Sequence, residues 1–95
     1  MEVPRRRLDG LSDPAIRALL GTRLVGLEKE ALRVSPTGTV AATPHPAALG
    51  SALTHPHITT DFSEALVELV TPALPSSAAV LAFLRDLHLF VYRHI

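Results

Sequence analysis

The sequence contains no cysteine, which excludes a disulfide framework, a thiolate metal site and a cysteine nucleophile. Net charge is also absent, because nine basic residues balance nine acidic ones. No overall field therefore steers the chain to nucleic acid or to anionic lipid. No Asp, Glu, Lys or Arg lies between Val34 and Thr60. That stretch is nevertheless broken by prolines, glycines, histidines and threonines, and it lacks the ~20 consecutive apolar residues of a membrane helix. Nor is an export signal legible, since Arg5-Arg6-Arg7 leads into Leu8-Asp9-Gly10 rather than into an apolar stretch and a cleavage site. The expectation is a soluble, cytoplasmic chain, with no nucleic acid and no membrane among its partners. The three arginines, beside Asp9 and Asp13, read as part of a solvated flexible arm over residues 1–12 rather than as a phosphate clamp.

What the chain does have is carboxylates inside runs that otherwise read as buried strand. Glu28 and Glu30 flank Lys29 in Leu24–Val34, and Asp61, Glu64 and Glu68 punctuate Ile58–Thr71. Neighbouring side chains on one face of a strand lie roughly 6.5 to 7 Å apart. At that distance two ionised carboxylates repel by about 2 kcal/mol at an effective dielectric near 20. A divalent cation with oxygen ligands is the simplest partner for such a face, with Leu27, Lys29 and Ala31 turned to the other side. The alternative is a solvated edge strand that displays Glu and Lys in turn. In the second run Glu64 and Glu68 share a face whether the backbone is strand or helix.

Four structured pieces are expected. Asp13-Pro14 pairs a helix cap with a first-turn proline and leads to Gly21 as a stop. Leu24–Val34 reads as a strand, returned through Ser35-Pro36-Thr37-Gly38 to pair with Thr39–Ala42 as a hairpin. Ala47–Gly50 has room for one helical turn, and Ala65–Thr71 reads as a strand closed by Pro72 and Pro75. Ser76 or Ser77 caps a last helix whose stripe is Val80, Leu84, Leu87 and Val91. Leu81, Phe83, Leu89 and Phe90 widen that stripe until the helix is apolar nearly all round. Such a helix is normally buried on several sides, and 95 residues leave little chain to cover it. The expectation is a truncated α+β segment of a larger protein.

Other residues carry less. His55-Pro56-His57 reads as a loop, for a lone pair without cysteine or a further ordered histidine is a weak metal signal. Lys29, the only lysine, reads as an ion-pair partner for its flanking acids, and Arg85 and Asp86 as structural ion pairs. Glu64 reads as a solvated or structural acid.

In order and spacing, Gly26-Leu27-Glu28-Lys29-Glu30, Leu32-Arg33-Val34, His45-Pro46, Leu49–His55, Ile58–Leu66, Glu68, Thr71-Pro72 and Leu84–His88 resemble the amino-terminal region of bacterial glutamate-cysteine ligases of the gammaproteobacterial type. The resemblance implies an enzyme several times longer, which joins the γ-carboxylate of glutamate to the amine of cysteine with ATP and Mg²⁺, the first step of glutathione synthesis. It implies a glutamine-synthetase-like fold, with a mainly antiparallel sheet, flanking helices and acidic side chains that hold magnesium. By position it makes Glu28, Glu30, Asp61 and Glu68 metal ligands and Phe62 part of the wall of the cysteine pocket. Residues 1–95 would then be a single amino-terminal segment of a larger ligase domain, inactive alone because the rest of the ligase chain is missing. A non-catalytic acidic module that binds divalent cations, or a purely structural fragment, is the alternative.

Overall fold

Along the chain the elements are helices α1 (Glu2–Gly10) and α2 (Pro14–Leu20), strand β1 (Glu28–Leu32), a short 3₁₀ turn (Ala47–Leu49), strands β2 (Ile58–Asp61) and β3 (Ser63–Val70), and helix α3 (Ser77–His94). The computed structural model describes residues 2–95. The α+β expectation holds, with a three-stranded antiparallel sheet in the order β1-β3-β2.

The middle strand shows why. In β3 the residues Ala65, Val67 and Leu69 are buried while Glu64 is exposed and Leu66, Glu68 and Val70 are half-buried, the period-two pattern of a sheet with one face on the core. Ile58 and Leu49 join Val67, Leu69 and Leu87 in that core, and Phe83, Leu84 and Val91 of α3 pack against it. α3 begins where Ser76 Oγ accepts a hydrogen bond from the Ala79 N–H at 3.1 Å, and the apolar stripe read from the sequence faces the sheet. α2 begins in the same way, with Asp13 accepting from the Ala15 N–H at 2.8 Å and Pro14 in its first turn.

Three expectations need correction. The segment expected as a flexible arm over residues 1–12 is helical across Glu2–Gly10, although exposed from Val3 to Asp9. The partner of β1 is β3, in register from Glu28 opposite Val70 to Leu32 opposite Leu66, and not Thr39–Ala42. The turn at Ser35–Gly38 does form, closed by Ser35 N–H to Thr39 O at 2.7 Å and Gly38 N–H to Ser35 O at 2.9 Å. Beyond it only the single bridge Val34–Val40 persists, because Pro44 and Pro46 follow at once and have no N–H to offer a ladder. Finally, Arg85 and Asp86 are exposed and form no ion pair among the described residues.

Side-chain clamps fix the loops. Arg33 donates to the Thr43 hydroxyl and carbonyl at 2.8 and 2.7 Å and to the Glu64 carbonyl at 2.8 Å, tying the turn to β3. His55 Nδ1 accepts from the N–H groups of His57 and Ile58 at 3.0 and 2.9 Å, so the pair expected as a loop holds the entry to β2. Gly50, at φ 84° and ψ 179°, occupies a backbone region essentially reserved for glycine, and an added Cβ would lie 3.4 Å from His55 Cδ2. Gly50→Ala is therefore expected to cost roughly 1–3 kcal/mol, read as a lower urea midpoint.

His45 offers a second test. Its ring nitrogens have no hydrogen-bond partner. Burial lowers its pKa from the ordinary 6.5, the charges of Arg33 and His55 lower it further, and only Glu64 opposes them. A histidine held neutral by the fold contributes stability that is lost as pH falls below its unfolded value. Between about pH 7 and about pH 5 the wild-type chain is expected to lose more stability than His45→Asn, measured by urea denaturation at each pH.

Candidate metal centre

The register decides which side chains meet. Directly paired residues in an antiparallel sheet point to the same face, so Glu28 shares a face with Val70, and Glu30 with Glu68. On β2, Thr59 lies opposite Glu68. The register then shifts, so that Asp61 pairs with Ser63 across the single connecting residue Phe62. The result is a triad: one carboxylate oxygen each from Glu30, Asp61 and Glu68 lie within 4.8 Å of one another. Three strands each contribute one acid.

Of the four acids expected as ligands, the structure brings these three together and sets Glu28 next to them on the same face. Glu64 stays outside the cluster. The lone lysine is not an ion-pair partner for its neighbours: alternation turns Lys29 to the opposite face, where its Nζ meets His88 Nε2 on α3 at 2.8 Å. Burial first, and the adjacent lysine charge second, lower the pKa of His88, as expected for a ring nitrogen that accepts rather than donates.

Glu68 carries the electrostatic load of the cluster. Its half-buried place in the middle strand pushes its pKa above the ordinary carboxylate value, and the charges of Glu28, Asp61 and Glu30 push it higher. An acid raised by folding is ionised at a cost, so stability is lost as pH rises through its folded pKa. A bound cation removes that cost. The donor set is all oxygen, which suits a hard cation. Around Mg²⁺, with bonds of ~2.0 to 2.1 Å, octahedral geometry puts neighbouring ligand oxygens about 3 Å apart and opposite ones about 4.2 Å apart. A spread of 4.8 Å is within a small side-chain adjustment of that, so the residues fit the ion.

Phe62 stands beside the triad in an unusual state. Its φ is +52°, a genuine outlier for a bulky side chain, and the ring is 103% exposed. Its N–H donates to Asp61 Oδ1 at 2.9 Å. Backbone strain and an exposed aromatic ring thus coincide at the turn between β2 and β3. On the other flank the buried hydroxyl of Thr71 accepts from the Leu27 N–H at 2.8 Å, which pins the chain just before Glu28. Sequence reasoning placed Thr71 in the family pattern with Pro72 but gave it no role, since a polar residue at the end of an apolar strand does not by itself reveal its partner.

A profile of the family described as glutamate-cysteine ligase matches residues 8–95. The glutamate-cysteine ligase of Azotobacter vinelandii is 58% identical over 89 residues, 94% of this chain but 17% of that protein. The same enzyme of Alcanivorax borkumensis is 54% identical over 85 residues, 90% of this chain and 16% of its own length. The chain thus spans about 17% of the curated relatives it matches. Among solved structures, the glutamate-cysteine ligase of Francisella tularensis in complex with AMP superposes with a TM-score of 0.75 at 39% identity, over 78% of this chain and 15% of that one. A bifunctional glutathione synthetase from Pasteurella multocida gives the same TM-score and identity over 83% of this chain and 11% of that one. By sequence and by fold, the chain belongs to the glutamate-cysteine ligase family.

Proposed function

We propose that this chain supplies part of the magnesium-binding wall of a glutamate-cysteine ligase, with Glu30, Asp61 and Glu68 as ligands and Glu28 completing the acidic face. The observation that carries this reading is the convergence of the three carboxylates from three strands, in a chain that belongs to the ligase family. The reaction is ATP-dependent joining of glutamate to cysteine. The γ-carboxylate oxygen attacks the terminal phosphorus of ATP and ADP leaves. The cysteine amine then attacks the acyl carbon, and phosphate leaves as the amide forms. Mg²⁺, when bound, neutralises charge on the transferring phosphoryl group. The protein's part is alignment and electrostatic preorganisation. Glu30, Asp61 and Glu68 are held on strands, so their oxygens are positioned before anything binds. Phe62 presents its ring next to them as a wall for the cysteine side chain, and Thr71 fixes the backbone that leads into Glu28.

These residues make up one wall of a site. The chain spans about 17% of a relative's length, and in this reading most of the glutamate, cysteine and ATP contacts come from the rest of a ligase, so the chain alone is expected to be inactive. Incubated with all three substrates and Mg²⁺, it should release no ADP above background.

Magnesium titration followed by thermal unfolding tests the wall directly, since a ligand that binds only the folded state raises the melting temperature. Mg²⁺ is expected to stabilise the wild-type chain. Glu30→Gln, Asp61→Asn and Glu68→Gln are each expected to weaken its apparent affinity by about 10- to 100-fold, a loss that even an outer-shell partner produces. Without Mg²⁺ at neutral pH, Glu68→Gln should unfold at a higher temperature than wild type, because the raised carboxyl no longer has to ionise. A melting temperature that ignores Mg²⁺ in wild type would remove the metal assignment.

Phe62 separates structure from function. Phe62→Gly relaxes the positive φ and removes no buried contact, so the chain should keep its stability or gain up to about 1 kcal/mol. In a full-length relative the matching change is expected to raise KM for cysteine about tenfold, as for a lost aromatic contact, with KM for ATP unchanged. Equal effects on both substrates would remove Phe62 from the cysteine pocket.

A further inference from the structure

Lys29 is the only lysine of the chain and lies between two acids of the proposed metal wall, Glu28 and Glu30. An ammonium so placed is a built-in rival for the ion. It is a compact cation with N–H donors and no acceptor, and a carboxylate paired with it is one that a dication must win back. Every residue of β1 is exposed, and the strand is an edge strand, paired only with β3. A flexible four-carbon side chain can therefore swing round the open edge toward either neighbour. Among the described residues Lys29 nevertheless makes no ion pair with Glu28 or Glu30. Its Nζ lies 2.8 Å from His88 Nε2 instead. The ammonium can only donate, so Nε2 accepts, and the neutral ring carries its proton on Nδ1. His88 is well placed for this. It is half-buried, it follows the core residue Leu87 on α3, and its ring centre lies 6.0 Å from that of Tyr92.

We propose that His88 is a positioning residue for the metal centre: by accepting from Lys29 it holds the chain's only ammonium on the face away from the carboxylates, and so leaves Glu28 and Glu30 to a dication. The strand itself has other anchors. The Thr71 hydroxyl takes the Leu27 N–H at 2.8 Å just before β1, and Arg33 just after it donates to the Glu64 carbonyl at 2.8 Å. What the Lys29–His88 bond decides is where the charge sits, not where the strand lies. The proposal deepens the magnesium reading and rests on it.

Titration of the chain with Mg²⁺ alone, read by thermal unfolding, tests this. His88→Leu removes the acceptor and is expected to weaken the apparent Mg²⁺ affinity by about two- to fivefold, the worth of one exposed ion pair. His88→Gln keeps a side-chain oxygen that can accept and is expected to bind Mg²⁺ like wild type. In a Lys29→Met background there is no ammonium to release, so adding His88→Leu should change the affinity no further. A merely structural role for His88 would weaken binding in both backgrounds. At about pH 8, where histidine is neutral, nitrogen-15 spectra should show the His88 ring protonated on Nδ1, its signals recognised by their loss in His88→Gln. Four results would each overturn the proposal: an unchanged affinity in His88→Leu, no recovery in His88→Gln, an equal loss in the Lys29→Met background, or a His88 ring protonated on Nε2. A wild-type chain whose unfolding ignores Mg²⁺ removes the metal reading and this proposal with it. A wild-type response together with any of those four results removes the proposal alone.

Discussion

The mutual repulsion of acids on one sheet face is the constraint around which the rest is arranged. Glu30, Asp61 and Glu68 come from three strands and place their oxygens within 4.8 Å of one another, and burial first, with the neighbouring acid charges second, raises the pKa of Glu68. Nothing in the local packing requires this, for the core lies on the opposite face and would form with polar uncharged residues in their place. The cluster persists because the backbone leaves it no escape. β3 is paired on both sides, the β2–β3 connection is a single residue, and Thr71 fixes the approach to β1. Paired strands thus hold like charges together, and under the proposed function a bound cation would relieve them.

Much of this was legible from the amino acids. The strand read over Ala65–Thr71 is there, at Ser63–Val70 with one buried face, and Asp13-Pro14 and Ser76 announced two helix starts that the structure repeats. Glu28 and Glu30 on one face and Lys29 on the other followed from period two alone. The pairing of strands did not follow. A proline-glycine turn argues locally for a hairpin, whereas β1 pairs with a strand some 40 positions later, a choice made by the shared core rather than by the turn. The same limit hid the partner of Lys29, because His88 is 59 positions away. Phe62 could be placed in a family pattern by its neighbours, but its positive φ came only with the register shift between Thr59 and Asp61.

The two faces of the sheet differ in kind. One gathers the carboxylate oxygens of Glu30, Asp61 and Glu68, and the other carries the apolar core packed against α3. Each strand residue therefore has its task assigned by parity, odd or even, and the protein cannot adjust one face without the backbone of the other.

That parity also polices strand pairing. Were β1 to slide by one position along β3, Glu28 and Glu30 would turn toward Leu69 and Leu87 in the oily interior, while the ammonium of Lys29 would arrive among the carboxylates and take the seat of the dication. Both errors are heavily penalised at once, so the charge pattern that gathers the acids on one face also proofreads the assembly of the sheet.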